Sequence, residues 1–165
     1  MVRAFMILTY VFGGAGIALA FYFLGSSGYG ADEALTVLTL ALCVIVGALS
    51  WVRHFVLWKK DAKFLGVENE SPFFHWEVGF ANGAFAVAGL LAVLLDWGEY
   101  AMAAAVLGYA VYLLQASLLH GWRYISGQSR TPARLWGSFI GLAVMCLMVI
   151  FIVVVALGQA EPVVY

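Results

Sequence analysis

Charge is what this chain lacks most. Asp, Glu, Lys and Arg make up 10% of its 165 residues, against roughly a quarter in soluble domains. Hydrophobic residues make up 65% and the mean hydropathy is +1.00, so too little polar surface remains to coat a water-soluble globule. The formal net charge of -1 gives no polyanion-binding face and excludes a nucleic-acid partner. Cysteine is nearly absent. Cys43 and Cys146 stand alone within apolar runs and read as small packing residues, not as a disulfide or redox pair. There is no CxxC, GxSxG, Walker loop, HExxH or glycine-rich dinucleotide turn. Ser117 lies one turn before His120, but with no orienting acid and no oxyanion donors it makes no nucleophile. Nothing points to an enzyme acting alone.

What the chain has is length of hydrophobic run. A helix needs about 20 apolar residues to cross a bilayer, and five runs qualify: Ala4 to Leu24, Ala34 to Trp58, Pro72 to Leu95, Tyr100 to Trp122 and Leu135 to Leu157. The expected fold is all-α, a polytopic membrane helical bundle of five transmembrane helices in a single domain, with a four-helix core plus one. The first run, preceded by Arg3, is longer than a cleavable signal core, and Gly13, Gly14 and Gly16 suit helix packing, so it is read as a helix.

The charges set an orientation. With the N-terminus inside, Arg3, Arg53, Lys59, Lys60, Lys63, Arg123, Arg130 and Arg134 all fall at or near the cytoplasmic side, while Asp32, Glu33, Asp96, Glu99 and Glu161 fall on the other. Basic residues mark cytoplasmic flanks, so the expectation is an inner-membrane, multi-pass protein with its C-terminus outside. Trp58, Trp97, Trp122 and Trp136 sit at the boundaries as an interfacial belt.

Polar groups inside the apolar runs are the candidates for function, because they are costly there. The stretch Ser71-Pro72-Phe73-Phe74-His75-Trp76-Glu77-Val78-Gly79-Phe80-Ala81-Asn82-Gly83 places a histidine, a carboxylate and an amide in the opening turns of the third helix. Helical spacing puts His75, Gly79, Asn82, Ala86 and Gly89 on one stripe and Glu77, Ala81, Ala84 and Ala88 on another. Two small-sided stripes predict a central third helix. In the second helix Cys43, Gly47, Ser50 and His54 form a similar stripe, and the fourth ends with Gln115, Ser117 and His120. At 1.5 Å per residue, His54 lies roughly 6 to 8 Å inside Lys59 and Asn82 about 14 Å above the start of its helix. The expected picture is a cytoplasmic vestibule lined by imidazoles, with Glu77 at its throat and Asn82 and Gln115 deeper. Gly79 with Gly83, and Gly137 with Gly141, form two GxxxG motifs for close helix packing.

Each polar group has more than one reading. The imidazoles admit interfacial anchoring, metal ligation by His54, His75 and His120 with Glu77, axial ligation of a b-type haem by His54 and His120, a proton relay, or contact with a quinone. No cofactor is required by the sequence. Glu77 is either hydrogen-bonded to a neighbouring helix, or paired with Arg53, or a titrating group of a proton-coupled pathway. Asn82 and Gln115 serve as interhelical hydrogen-bonding groups or as solute ligands.

Ser71-Pro72-Phe73, then Glu77-Val78-Gly79-Phe80-Ala81-Asn82, then Leu119-His120-Gly121, resemble an uncharacterised family of small prokaryotic multi-pass membrane proteins, across Phe55 to Tyr124. Glu77 followed by small residues to Gly89 is also similar to DoxX-like membrane proteins, which implies a four-helix core and an occasional association with quinone-linked oxidoreductases. The leading functional expectation is a site that binds or conducts a proton, ion or small solute. The alternatives are an accessory or assembly subunit of a larger membrane complex, or a haem- or quinone-binding redox subunit. Membrane lipid and either a homo-oligomer or partner membrane subunits are the expected partners.

Overall fold

The computed structural model describes residues 1–67, 71–127 and 131–158. Glu161 and Arg130 of the charge pattern lie outside the described residues, as does the side chain of Arg134. Among the described residues the chain is an all-α bundle of six helices: α1 Val2–Gly25, α2 Ala31–Val56, α3 Trp58–Leu65, α4 Pro72–Leu94, α5 Glu99–Ile125 and α6 Pro132–Gly158. All but the short α3 are long and apolar enough to cross a membrane.

Local chemistry fixes the helix ends. At the start of α2 the Gly30 N–H donates to Glu33 Oε2 at 2.8 Å, and Asp32 with Glu33 sits where the helix dipole favours anions. Pro72 and Pro132 each occupy a first helical position, where a missing N–H costs nothing. Ser71 caps α4 by accepting from the Phe73 N–H at 3.3 Å. The turn between α4 and α5 places Asp96 (φ 50°) and Gly98 (φ 83°) in the left-handed region.

The segment between the second and third expected spans, which the hydropathy leaves outside the membrane, opens with a helix. α3 keeps Lys59, Lys60 and Lys63 outward or at the margin while Asp61 and Ala62 are buried. It stops at Gly66 (φ 69°), where the Val67 N–H reaches back to the Ala62 carbonyl at 2.9 Å and the Gly66 N–H to Lys63 at 3.2 Å. That closure is a Schellman stop, with the glycine supplying the left-handed turn. Val67 is thereby folded under the bundle and buried.

α2 is the central helix, not the third span as the two small-sided stripes led us to expect. It packs against α1, α3, α4 and α5, and half of its membrane-length window is buried against 22% for α4. On α4 the stripe His75, Gly79, Asn82, Ala86 and Gly89 is buried, as the spacing predicts. The other stripe turns outward: Glu77, Ala84 and Ala88 are exposed. The physical reason is the size of the residues facing α2. Added Cβ atoms at Gly89 and Gly47 would stand 2.7 Å from Cys43 Cβ and 2.9 Å from the Asn82 carbonyl oxygen, so the two backbones approach as closely as only glycine allows.

Two stretches of α2, Thr39–Val46 and Val52–Val56, are wound as π-helix with wider turns. The core lies toward the acidic end of the bundle, where Leu35, Leu38 and Leu42 of α2 meet Val106 and Ala110 of α5 and Met148 and Phe151 of α6. Toward the basic end the helices enclose a cavity.

Candidate functional site

The second π-helical stretch ends α2 with Arg53 and His54, and the turn into α3 brings Asp61 back beneath them. Asp61 Oδ2 lies 2.8 Å from His54 Nδ1 and Asp61 Oδ1 lies 3.1 Å from Arg53 Nε. Arg53 Nη2 donates to His54 Nε2 at 2.7 Å. A guanidinium has no lone pair to offer, so His54 Nε2 accepts and Nδ1 carries the proton that goes to Asp61. His54 is therefore held as the neutral Nδ1–H tautomer in a closed three-membered ring of side chains. Asp61 is fully buried. Burial alone would raise its carboxyl, but the hydrogen bond from His54 and the positive charge of Arg53 outweigh it and hold Asp61 below the ordinary carboxylate value.

His75 joins this cluster from α4. Its ring centroid is 6.5 Å from that of His54 and 6.3 Å from that of Trp58, and its side chain is 1% exposed. Ligand atoms of His54, Asp61 and His75 lie within 4.8 Å of one another. A metal would find two imidazoles and a carboxylate. In this arrangement the His54 nitrogens lie 2.7 Å from Arg53 Nη2 and 2.8 Å from Asp61 Oδ2, and Asp61 Oδ1 lies 3.1 Å from Arg53 Nε, so a metal there, or a haem on His54, would have to displace Arg53 from the ring.

A cavity of about 740 Å³ adjoins the cluster. His54, His75, Asn82, Gln115 and His120 all line it. The three helices of the expected vestibule thus do converge, with α1 adding Thr9 and Tyr10. Asn82 is fully committed: its Nδ2 donates to the Val78 carbonyl at 2.8 Å and to Tyr112 Oη at 2.9 Å, and its Oδ1 accepts from Tyr109 Oη at 2.9 Å. It joins α4 to α5 and forms part of the wall. Gln115 is exposed to the space and His120 is half-buried.

Glu77 does not line the cavity. It lies on the outward stripe of α4, two positions from His75 and so turned by more than half a circle from it. The partner of Arg53 is Asp61, not Glu77. Gly79 faces Phe55 and Gly83 faces the Trp51 ring, each with an added Cβ at 3.0 Å. Of the second pair, Gly141 abuts Ser117 of α5, whereas Gly137 borders the cavity with no atom within 4 Å of an added Cβ. Beside it, Ser138 Oγ donates to the Ser117 carbonyl at 2.7 Å.

Three contributors escaped the sequence reading: Asp61, Tyr109 and Tyr112. Asp61 carried a signal, being the single acid within Lys59-Lys60-Asp61-Ala62-Lys63. Tyr109 and Tyr112 are three residues apart and so share a helix face, which their apolar neighbours disguised.

No curated protein and no solved structure matches the chain. One family model does match, over residues 3–162. That span takes in all six helices, the Arg53–Asp61–His54 cluster and the cavity, and the chain belongs to this family of unknown function, DUF6790.

Proposed function

We propose that the chain is a multi-pass protein of a cell inner membrane, N-terminus inside and C-terminus outside, that binds a small solute within the cytoplasmic half of its bundle. The observation that carries this reading is the cavity itself. Its volume of about 740 Å³ falls in the range of small-molecule sites, roughly 300 to 1,000 Å³. Its wall is mostly apolar, with Asn82, Tyr109 and Tyr112 bonded to one another within it, and Arg53, His54, His75, Gln115 and His120 add polar groups, the pattern of a site that holds an apolar body and orients a polar end. The packed core at the other end, with Met148 and Phe151 fully buried, favours binding over conduction through a continuous pore.

The test is to purify the protein in mild detergent, extract it with organic solvent and identify released small molecules by mass spectrometry, beside Val78→Trp, which places a large ring in the cavity. A stoichiometric molecule that is depleted in the variant is the expected result. Empty extracts from both proteins would overturn the reading.

A further inference from the structure

How a ligand reaches the cavity is decided by α1 and α6. Toward the acidic end these helices touch, with Phe21 edge-on to Phe151 at 5.2 Å between ring centroids. From mid-span toward the basic end both border the cavity, with small residues among those that do, Gly14 and Ala18 on α1 and Gly137, Gly141 and Ala143 on α6.

Gly14, Ala18, Ala143 and Leu147 border the cavity and are also exposed. They lie on outward-facing stripes. On α1 the stripe runs Ile7, Val11, Gly14, Ala18, Tyr22, and on α6 Phe139, Ala143, Leu147 and Ile150, the large members all exposed. A residue on an outward stripe that also borders the cavity marks its rim. Nothing lies within 4 Å of a Cβ added at Gly14.

The rim is at mid-span. Gly14 is about 18 Å along α1 from Val2 and Ala143 about 17 Å along α6 from Pro132, well inside the apolar length of both helices. At the basic end, by contrast, Leu65 and Val67 line the floor of the cavity, and Thr131 Oγ1 ties the start of α6 to the Leu65 carbonyl at 3.4 Å.

The wall also has a sign. Among the described residues, Arg53 is the one charged residue that lines the cavity, and its counter-ion Asp61 stands behind it, outside the lining. The other polar groups of the described lining are imidazoles, amides and hydroxyls, with no carboxylate among them. At about 30 Å³ for each group the size of a water molecule, the volume of about 740 Å³ holds roughly 25 such groups, enough for one chain with its head and too few for a two-chain lipid.

We infer that the cavity opens sideways to the lipid phase between α1 and α6 and takes a single-chain amphiphile with an anionic head, which is directed to the Arg53 end. This rests on the solute-binding reading and names its ligand class and route.

The probe is palmitate carrying a photoreactive diazirine in its chain, with the matching fatty alcohol as neutral control. Each is added to the protein in lipid nanodiscs, and cross-linked peptides are mapped by mass spectrometry. A Cys146→Ser, Gly14→Cys variant is labelled before and after reaction with a bulky maleimide, which closes the rim without refolding the chain. The expected result is labelling of the α4 and α5 peptides that carry Val78 and Leu113, competed by unlabelled palmitate, about tenfold stronger for the acid than for the alcohol (about 1.4 kcal/mol), and abolished by the maleimide. Equal labelling by acid and alcohol would overturn the anionic class. Undiminished labelling after the maleimide would overturn the lateral route. No labelling by either probe, while a solute is still recovered by extraction, would overturn the lipid ligand and leave the solute-binding reading intact.

Discussion

His54 gives its Nδ1 hydrogen to Asp61 across 2.8 Å while its other nitrogen accepts from Arg53 at 2.7 Å, so the imidazole at the end of α2 is clamped between a donor and an acceptor of opposite charge. The clamp fastens a short surface helix to a membrane-length one. Its loss should therefore be felt both in stability and in the closure of the cavity floor.

Asp61→Asn removes the charge and one acceptor but little volume, leaving Arg53 and His54 without their anion. Breaking one side of a buried pair costs about 3 to 5 kcal/mol, and the lower end applies here because the Arg53 side chain keeps 18% of its exposure. Thermal melts in detergent should show Asp61→Asn well below wild type, whereas Lys60→Ala, at an exposed position of the same helix, should stay within about 0.5 kcal/mol. Equal effects from the two changes would show that the clamp contributes nothing.

The same carboxyl fixes an acid limit. Asp61 lies below its ordinary value of 3.8, against the opposing effect of burial, through the His54 hydrogen bond and the charge of Arg53. A carboxyl depressed on folding contributes stability above its unfolded value and loses it as the pH falls through its folded value. The contribution of Asp61 should thus be constant from pH 8 to 5 and decline only below about 4. Melting temperatures of wild type and Asp61→Asn should run parallel at neutral pH and converge in acid. A constant gap down to pH 2 would contradict the assigned ion pair.

Asn82 and Tyr109 should be energetically coupled. Each hydrogen bond between membrane helices contributes about 0.6 kcal/mol on average and up to about 1.7, and this one is fully buried. A double-mutant cycle with Asn82→Ala and Tyr109→Phe should give a coupling near 1 kcal/mol. Strict additivity would mean that the amide is held by Tyr112 and the Val78 carbonyl alone.

Orientation is open to labelling. Single cysteines at Gly28 and Trp97, both exposed at the acidic end, should react with an impermeant reagent applied to intact cells, and one at Lys63 should react only after permeabilisation. Labelling of the Lys63 position in intact cells would reverse the assignment, since all the basic flanks would then be outside.

Much of the fold was legible because lipid-length apolar runs leave few choices: the five spans agree with the structure to within about three residues at most ends. The buried stripe from His75 to Gly89 was legible for the same reason, because helical periodicity reports which residues can face one neighbour. What periodicity does not report is which of two small-sided stripes meets a partner. Glu77 was assigned inward on polarity, yet the depth of contact at Gly47 and Gly89 turned its stripe outward. Asp61 was hidden for a different reason. Its role depends on a helix of eight residues, too short to show periodicity, and on a left-handed turn at Gly66 that returns the chain under α2.

The π-helical turns of α2 have a bearing on what changes the protein tolerates. Each wide turn stores one residue of slack in a span otherwise set by bilayer thickness. Deleting a single residue between Thr39 and Val46 would let that stretch relax to ordinary α-helix and would keep the span long enough to cross. Everything beyond it would keep its facing, because the residue removed is the slack itself. The same deletion in the α-helical stretch Gly47–Trp51 would instead swivel Arg53 and His54 by about 100°, away from Asp61 and the cavity, so two length changes that hydropathy cannot tell apart would have opposite consequences for the site.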